Sequence, residues 1–297
     1  MTPVADGSAN SGWGTRRDVG DSYQMTDTVP LSKFHGLGND FLVFVADGTH
    51  AAPADPAAFA RRVCDRHRGV GADGVLTAVP GPTPDAWEMT LHNADGSLGA
   101  MSGNGIRCFA QAVIRHTGRP LPTTLRIVTD AGLRTVAVSA DEHGDPDVVT
   151  ASVTMGTPRP GPSLDGIDAP TTRPIGRSAS WDVGNPHVVL EVGDVADVDA
   201  AVEGPDWEAR FEDGVNVHFV AITGDDRLDQ VTWERGAGLT LACGTGATAA
   251  ALSLRAWEGS SGPVTVSMPG GTVLVELGDE PTLHGPSEWI ADLRVRP

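Results

Sequence analysis

Cysteine is scarce in this chain: Cys64, Cys108 and Cys243 are the only three among 297 residues. Three thiols make no disulfide framework, and none sits in a CxxC or CxxH pair of the kind that holds zinc. This usage fits a reducing cytosol, and no metal is expected. Basic residues are also few, 21 Lys and Arg against 39 Asp and Glu, for a formal net charge of −18. That balance makes nucleic acid and anionic membrane surfaces poor partners. The acidic stretch 191–213 reads as a solvated face. No apolar run approaches the roughly 18 residues that a membrane-spanning helix needs. Residues 1–28 are polar and rich in Gly, Ser and Asp, and no apolar segment follows the Arg16-Arg17 pair. They read as a disordered tail rather than a secretory signal.

What is present is a long series of short apolar runs separated by turns. LSKFHGLGNDFLVFVA, EMTLHNADGS and LRIVTDAGLRTVAVSA read as strands, and PAAFARRVCDRH and GIRCFAQAVIRHTG as helices, the second closed by Gly118. After a loop at 140–147, a second series begins with ASVTMG, SWDVGNPHVVLEV, VNVHFVAI and QVTWERG. It continues through an Ala-rich helix, ATAAALSLRAWEG, and a hairpin around PGG to a terminal strand, EWIADLRVRP. The tally is an α+β fold. The expected halves are 29–147 and 148–287, with a last strand at about 288–297 that can return to the first half.

The two series resemble each other. Gly38-Asn39 recurs as Gly184-Asn185, Asp73-Gly74-Val75 as Asp213-Gly214-Val215, and Ser102-Gly103-Asn104-Gly105 as Cys243-Gly244-Thr245-Gly246. The offsets are 146, 140 and 141 residues, in one order. Two homologous halves related by a pseudo-twofold axis would bring these loops into one cleft.

Both tetrapeptides place an acid/base side chain before Gly-x-Gly at the start of a helix. Glycines allow close approach of a ligand, and a helix N-terminus offers unpaired N–H groups and partial positive charge. That combination suits the α-carboxylate of an amino acid. It also predicts a lowered pKa for Cys243. Inverting a stereocentre requires one acid/base group on each face of the carbon, which the two loops would supply. Asn39, Asn185 and Asn216 lie at strand ends or turns, where they could read a zwitterion. His187 and Glu234 are candidate partners of the catalytic pair, and Arg235 could grip a second carboxylate. Asn93 precedes Ser102 by nine residues, as Glu234 precedes Cys243. Plainer readings stand beside these. Ser102 is a good helix cap, the asparagines are common turn residues, and Glu234 with Arg235 could be a surface pair.

FHGLGNDFLVF, CDRHRGVGADGV, HNADGSLGAMSGNGIRCFA, VGNPHVV, DGVNVHFV and WERGAGLTLACGTGATAAA resemble the successive signature blocks of the diaminopimelate epimerase family, in that family's order. The resemblance implies two similar halves, each a mixed or antiparallel sheet wrapped around a central helix, and a homodimer. It implies interconversion of LL- and meso-diaminopimelate, without cofactor or metal, in lysine and peptidoglycan precursor biosynthesis. Matching substrate contacts are Asn39, Asn93, Gly103, Asn104, Asn185, Asn216, Glu234, Arg235, Gly244 and Thr245. His187 and Glu234 match residues that tune the catalytic thiols.

The chain departs from the family at Ser102, where the family has its first catalytic cysteine. Either Ser102 still moves a proton with help from His187 or a neighbour, or the reaction uses Cys243 as a single base, or the serine is an introduced change. The related proline racemase group accepts Ser or Thr at a corresponding position. Beside the epimerase stand a one-base lyase or isomerase, an epimerase of another amino acid, and a non-catalytic amino-acid-binding protein.

Overall fold

The computed structural model describes residues 28–99, 101–168 and 173–297. The expected tail at 1–28 lies, but for its last residue, outside them.

Alternation of apolar and polar residues makes the strands. In β7 (Gly132–Ala140), for example, Arg134, Val136 and Val138 face inward and their neighbours face out. The first series is β1 (Val29–Gly36), β2 (Asn39–Val45), α1 (Pro56–Cys64), β3 (Gly74–Pro80), β4 (Ala86–Asn93), β5 (Leu98–Gly99), α2 (Gly103–Thr117), β6 (Thr123–Thr129), β7 and β8 (Val148–Thr154). A short β9 (Arg159–Pro160) follows. The second series is β10 (Ser178–Asp182), β11 (Pro186–Glu191), α3 (Ala200–Glu208), β12 (Asn216–Gly224), β13 (Arg227–Glu234), β14 (Gly238–Thr240), α4 (Gly244–Glu258), β15 (Val264–Met268), β16 (Gly271–Glu276) and β17 (Thr282–Val295).

Pairing repeats with the elements. β1 and β2 are antiparallel, β2 and β3 parallel, β3 and β4 antiparallel, β4 and β6 parallel, and β6, β7 and β8 antiparallel in turn. The second series gives the same sequence of senses from β10 to β17. β8 pairs with the first part of β17, Ala151 opposite Gly285, and the rest of β17 pairs with β1. The first ring of strands therefore closes on itself around α2. In the second, β9 continues from β8 to pair with β10, and the strands wrap α4. β8 and β17 belong to both.

A helix surrounded by strands must be apolar on nearly every side. From Gly103 to Ile114 every residue of α2 is buried, and so is every residue of α4 from Gly244 to Leu254. Small side chains, Ala247, Ala249, Ala250 and Ala251, let the strands close on α4. Large ones, Ile106, Phe109 and Val113, fill the first ring. Full burial of side chains of that size contributes about 1.5–3 kcal/mol each. Gly118 and Gly259 end the two helices in the left-handed conformation.

The acidic stretch 191–213 is not simply a solvated face. It contains α3, whose Trp207 is buried and whose Glu208 accepts a hydrogen bond from Trp233 Nε1 at 2.6 Å. Gly204 permits this, since a Cβ there would stand 2.4 Å from Trp233 Cβ. Among the described residues, no helix is long and apolar enough to cross a membrane.

Candidate active site

In each series the starts of two parallel strands and the end of the next antiparallel strand lie at the end where the central helix begins. Phe41 of β2 faces Gly74 of β3, and Gly74 faces Asn93, the last residue of β4. In the second series, His187 of β11 faces Asn216, the first residue of β12, and Val217 faces Trp233, beside Glu234 at the end of β13. Sequence positions far apart thus gather around the starts of α2 and α4.

Those two starts touch. A Cβ on Gly103 would lie 2.9 Å from the Gly244 Cα, and one on Gly244 would lie 2.9 Å from the Gly103 Cα. Only glycines fit at this contact. Each preceding residue caps its helix with its own side chain. Ser102 Oγ accepts from Gly105 N at 2.9 Å, and Cys243 Sγ accepts from Gly246 N at 3.4 Å. The first two amides of each helix, on Gly103 and Asn104 and on Gly244 and Thr245, make no hydrogen bond to the described residues. Helix geometry leaves such groups for a ligand.

Asparagines join the halves. Asn104 Nδ2 donates to Ala242 O at 2.8 Å, directly before Cys243, and to Asn39 Oδ1 at 3.2 Å. Asn39 Nδ2 donates to Asp73 Oδ2 at 2.6 Å. Asp73 also accepts from Arg66, which is paired with Asp40, and Asp40 is paired with Lys33. Asn93 donates to Ser97 Oγ at 3.0 Å in the turn leading to Ser102.

Glu234 stands beside Cys243. Its side chain is half-buried, and Thr240 Oγ1 donates to it at 2.6 Å. Burial raises its pKa, the Thr240 and Cys243 hydrogen bonds partly offset that, and the Asp73 charge adds to the rise. Burial also pushes the Cys243 thiol well above its ordinary value, and the Glu234 charge pushes it further. Thr245 and Gly246 oppose only part of this. The expected lowering of the Cys243 pKa is therefore corrected: loss of water and a neighbouring carboxylate outweigh the helix terminus.

His187 is fully buried with both ring nitrogens engaged, Nε2 with Asn185 Oδ1 at 2.7 Å and Nδ1 with His218 Nε2 at 2.8 Å. His218 Nδ1 meets Thr232 Oγ1 at 3.0 Å. An amide oxygen only accepts, so His187 carries its proton on Nε2 and His218 on its own Nε2. Burial, reinforced by the His218 and Arg235 charges, holds His187 well below the usual range, and burial takes His218 down to about 3. His187 is thus a neutral, internally satisfied ring. It is not hydrogen-bonded to Ser102. Asn216 Nδ2 donates to Pro186 O at 2.8 Å and its Oδ1 accepts from Arg235 N. The exposed Arg235 guanidinium donates to Asp213 O at 2.9 Å.

Asp73, Arg107 and His218 belong to this assembly and are absent from the residues expected from sequence. Asp73 lies in the repeated DGV, and His218 is a lone polar residue in the apolar run VNVHFV. Both are legible signals in the sequence. Cys64 and Cys108 are buried in the two sides of the first half, their thiols pushed up to about 12 and about 11 by burial.

A family model described as diaminopimelate epimerase matches residues 31–159 and 179–289. The diaminopimelate epimerase of Microcystis aeruginosa is 37% identical over 267 residues, covering 83% of this chain and 90% of that protein. That of Methanothermobacter thermautotrophicus is 36% identical over 275 residues, covering 86% and 93%. Among solved structures, a hydroxyproline epimerase from Agrobacterium vitis with bound trans-4-hydroxy-L-proline superposes with a TM-score of 0.70 at 19% identity, covering 91% and 92%. A phenazine biosynthesis protein from Bacillus anthracis gives 0.62 at 14% identity, covering 90% and 99%. These two share the fold.

Proposed function

Since the chain belongs to the diaminopimelate epimerase family, we propose that it interconverts LL- and meso-2,6-diaminopimelate by proton transfer at Cα, as an isomerase of amino-acid biosynthesis that needs no cofactor. The observation that carries this is the abutment of two helix N-termini, one capped by Ser102 and the other by Cys243. The free amides of Gly103, Asn104, Gly244 and Thr245 receive the α-carboxylate. Asn39, Asn93, Asn104, Asn185 and Asn216 orient the polar groups, and Arg235 takes the distal carboxylate. His187 holds Asn185 in register through its Nε2–H.

For abstraction by Cys243, the thiol passes its proton to Glu234 and the thiolate takes the Cα proton. The electron pair left on Cα spreads into the carboxylate, where the helix termini stabilise it. Ser102 delivers its hydroxyl proton to the opposite face and is recharged from solvent, which its half-buried position permits, while Glu234 gives up the thiol's proton to solvent and the site is restored. A hydroxyl is a poor partner in that exchange. Among the described contacts, the Ser102 hydroxyl is bonded only to the backbone N–H of Gly105, an observation that favours a second reading: a one-base lyase or isomerase on Cys243 alone. A homodimer in the cytosol completes the proposal, supported by three buried, unbridged cysteines for the compartment.

Proton NMR of LL-diaminopimelate in D2O with chiral analysis tests it. Deuterium at Cα with meso product is expected. Exchange without inversion means the one-base reading, and neither exchange nor product means another substrate or a binding role.

A further inference from the structure

Arg107 lies one turn into α2 and is 0% exposed. Its guanidinium donates to neutral acceptors: Nε to Pro286 O at 3.0 Å, Nη1 to Gly103 O at 2.9 Å and Nη2 to Asn104 Oδ1 at 2.8 Å. Among the described residues no carboxylate pairs with it. Burial draws its pKa down to about 10, which leaves it charged at neutral pH. Glycines make its room, for a Cβ at Gly36 would stand 3.1 Å from Nη2 and one at Gly285 3.2 Å from Cζ. A charge buried without a counter-ion is costly, and an anion bound near it would offset that cost.

The route to that anion is one peptide group. Arg107 binds the C=O of Gly103, and the N–H of that same peptide belongs to Asn104, one of the two free amides at the start of α2. A charged donor on the oxygen polarises the N–H on the other side. In α4 the equivalent carbonyl, Gly244 O, accepts from Thr248 Oγ1 at 3.0 Å, a neutral hydroxyl. Arg107 and Thr248 are 141 residues apart, the same offset as Ser102 and Cys243.

We propose that Arg107 is a positioning residue that gives the α2 terminus a positive charge the α4 terminus lacks, and so fixes the substrate's α-carboxylate to the Ser102 side of the cleft through the Gly103–Asn104 peptide. This rests on the reading of the cleft as an amino-acid site. The charge offsets the weaker acid on that side by holding the anion where the Ser102 half must act.

The test compares Arg107→Gln, a neutral donor, with Arg107→Lys, a charged one, by calorimetric Kd for diaminopimelate, KM, kcat and melting temperature. Arg107→Gln should raise Kd and KM about tenfold, the scale of losing one charge-assisted contact, while Arg107→Lys stays within about threefold of the parent. A purely structural role would lower both melting temperatures and weaken binding equally. An unchanged Kd in Arg107→Gln, or equal Kd in the two variants, overturns the proposal. Should neither variant fold, amide NMR of the unaltered protein decides. On saturation with diaminopimelate the Asn104 amide proton should move further downfield than that of Thr245, and an equal or smaller shift overturns the proposal. If the unaltered protein does not bind diaminopimelate, the functional reading has failed instead, and the same two amides titrated with acetate judge Arg107.

Discussion

Ser102 and Cys243 hold equivalent places in two halves with the same strand order, yet their surroundings differ in kind. Behind Cys243 stand a carboxyl group with a raised pKa, Glu234, and a neutral buried histidine pair. The position equivalent to Glu234 in the Ser102 half is Asn93, an amide that cannot take a proton. That half instead carries fixed charge: Lys33, Asp40, Arg66 and Asp73 in one chain of ion pairs, and Arg107 alone in the interior. The repeat therefore preserves backbone geometry while dividing the labour. Under the proposed function, proton transfer would run mainly on the Cys243 side, while the Ser102 side holds fixed charge in place.

The most severe way to break that division is to remove the thiol. Cys243→Ala should abolish both inversion and Cα deuterium exchange, a fall of about 10²–10⁴-fold, read by NMR in D2O. Retention of exchange would move the base to the other half. Next comes Glu234→Gln. Losing the acceptor for the thiol proton should lower kcat about 10²-fold. Losing its negative charge should also lower the Cys243 pKa, because Glu234 raises it in the parent. Alkylation of Cys243 by iodoacetamide should then reach half its maximal rate at a lower pH than in the parent. A midpoint that stays or rises would mean that Glu234 does not govern the thiol.

Ser102→Cys sharpens the comparison from the opposite side. A thiol ionises near pH 8.5 in model peptides, far more readily than a hydroxyl. The variant should epimerise about tenfold faster or more, read as meso product. An unchanged rate would mean that the Ser102 side does not limit the reaction.

Much of this arrangement is legible in the sequence because it depends on local rules. Gly-x-Gly at a helix start, Gly118 past a helix end, and repeats at offsets near 141 are short-range patterns. The polarity of the interior is less legible. Arg107 and Gln111, four residues apart, face β17, where Gln111 accepts from Ser287 at 2.7 Å and Arg107 donates to Pro286 O. Nothing in the spacing of GIRCFAQ says that the partners lie about 180 residues away. The direction of the Cys243 pKa is hidden for the same reason. A helix terminus is a local feature, whereas desolvation is set by strands from both series. α3 is hard to read because Gly204 and Pro205 interrupt its pattern, although Gly204 is what admits Trp233.

The smallest expected effect concerns stability, and it separates the halves by pH. His187 and His218 are fully buried, whereas the other seven histidines, His284 of the second half among them, reach solvent. An unfolded histidine titrates near 6.5, but burial depresses both rings in the fold, His218 to about 3. Between those values the unfolded chain binds more protons than the native one, so stability is fully present above about pH 6.5 and falls on acidification. The His218 ring should contribute a slope of about 1.4 kcal/mol per pH unit in that window, and His187 shifts stability in the same direction. Denaturant melts of the parent and of His218→Gln between pH 7 and 5 should show the variant with a shallower decline by about one such slope. Carboxylates titrate in both proteins alike, so the difference isolates the ring. Parallel declines would place the acid sensitivity outside the histidine pair, and the Cys243 half would then lose its claim to be the proton-responsive side of the molecule.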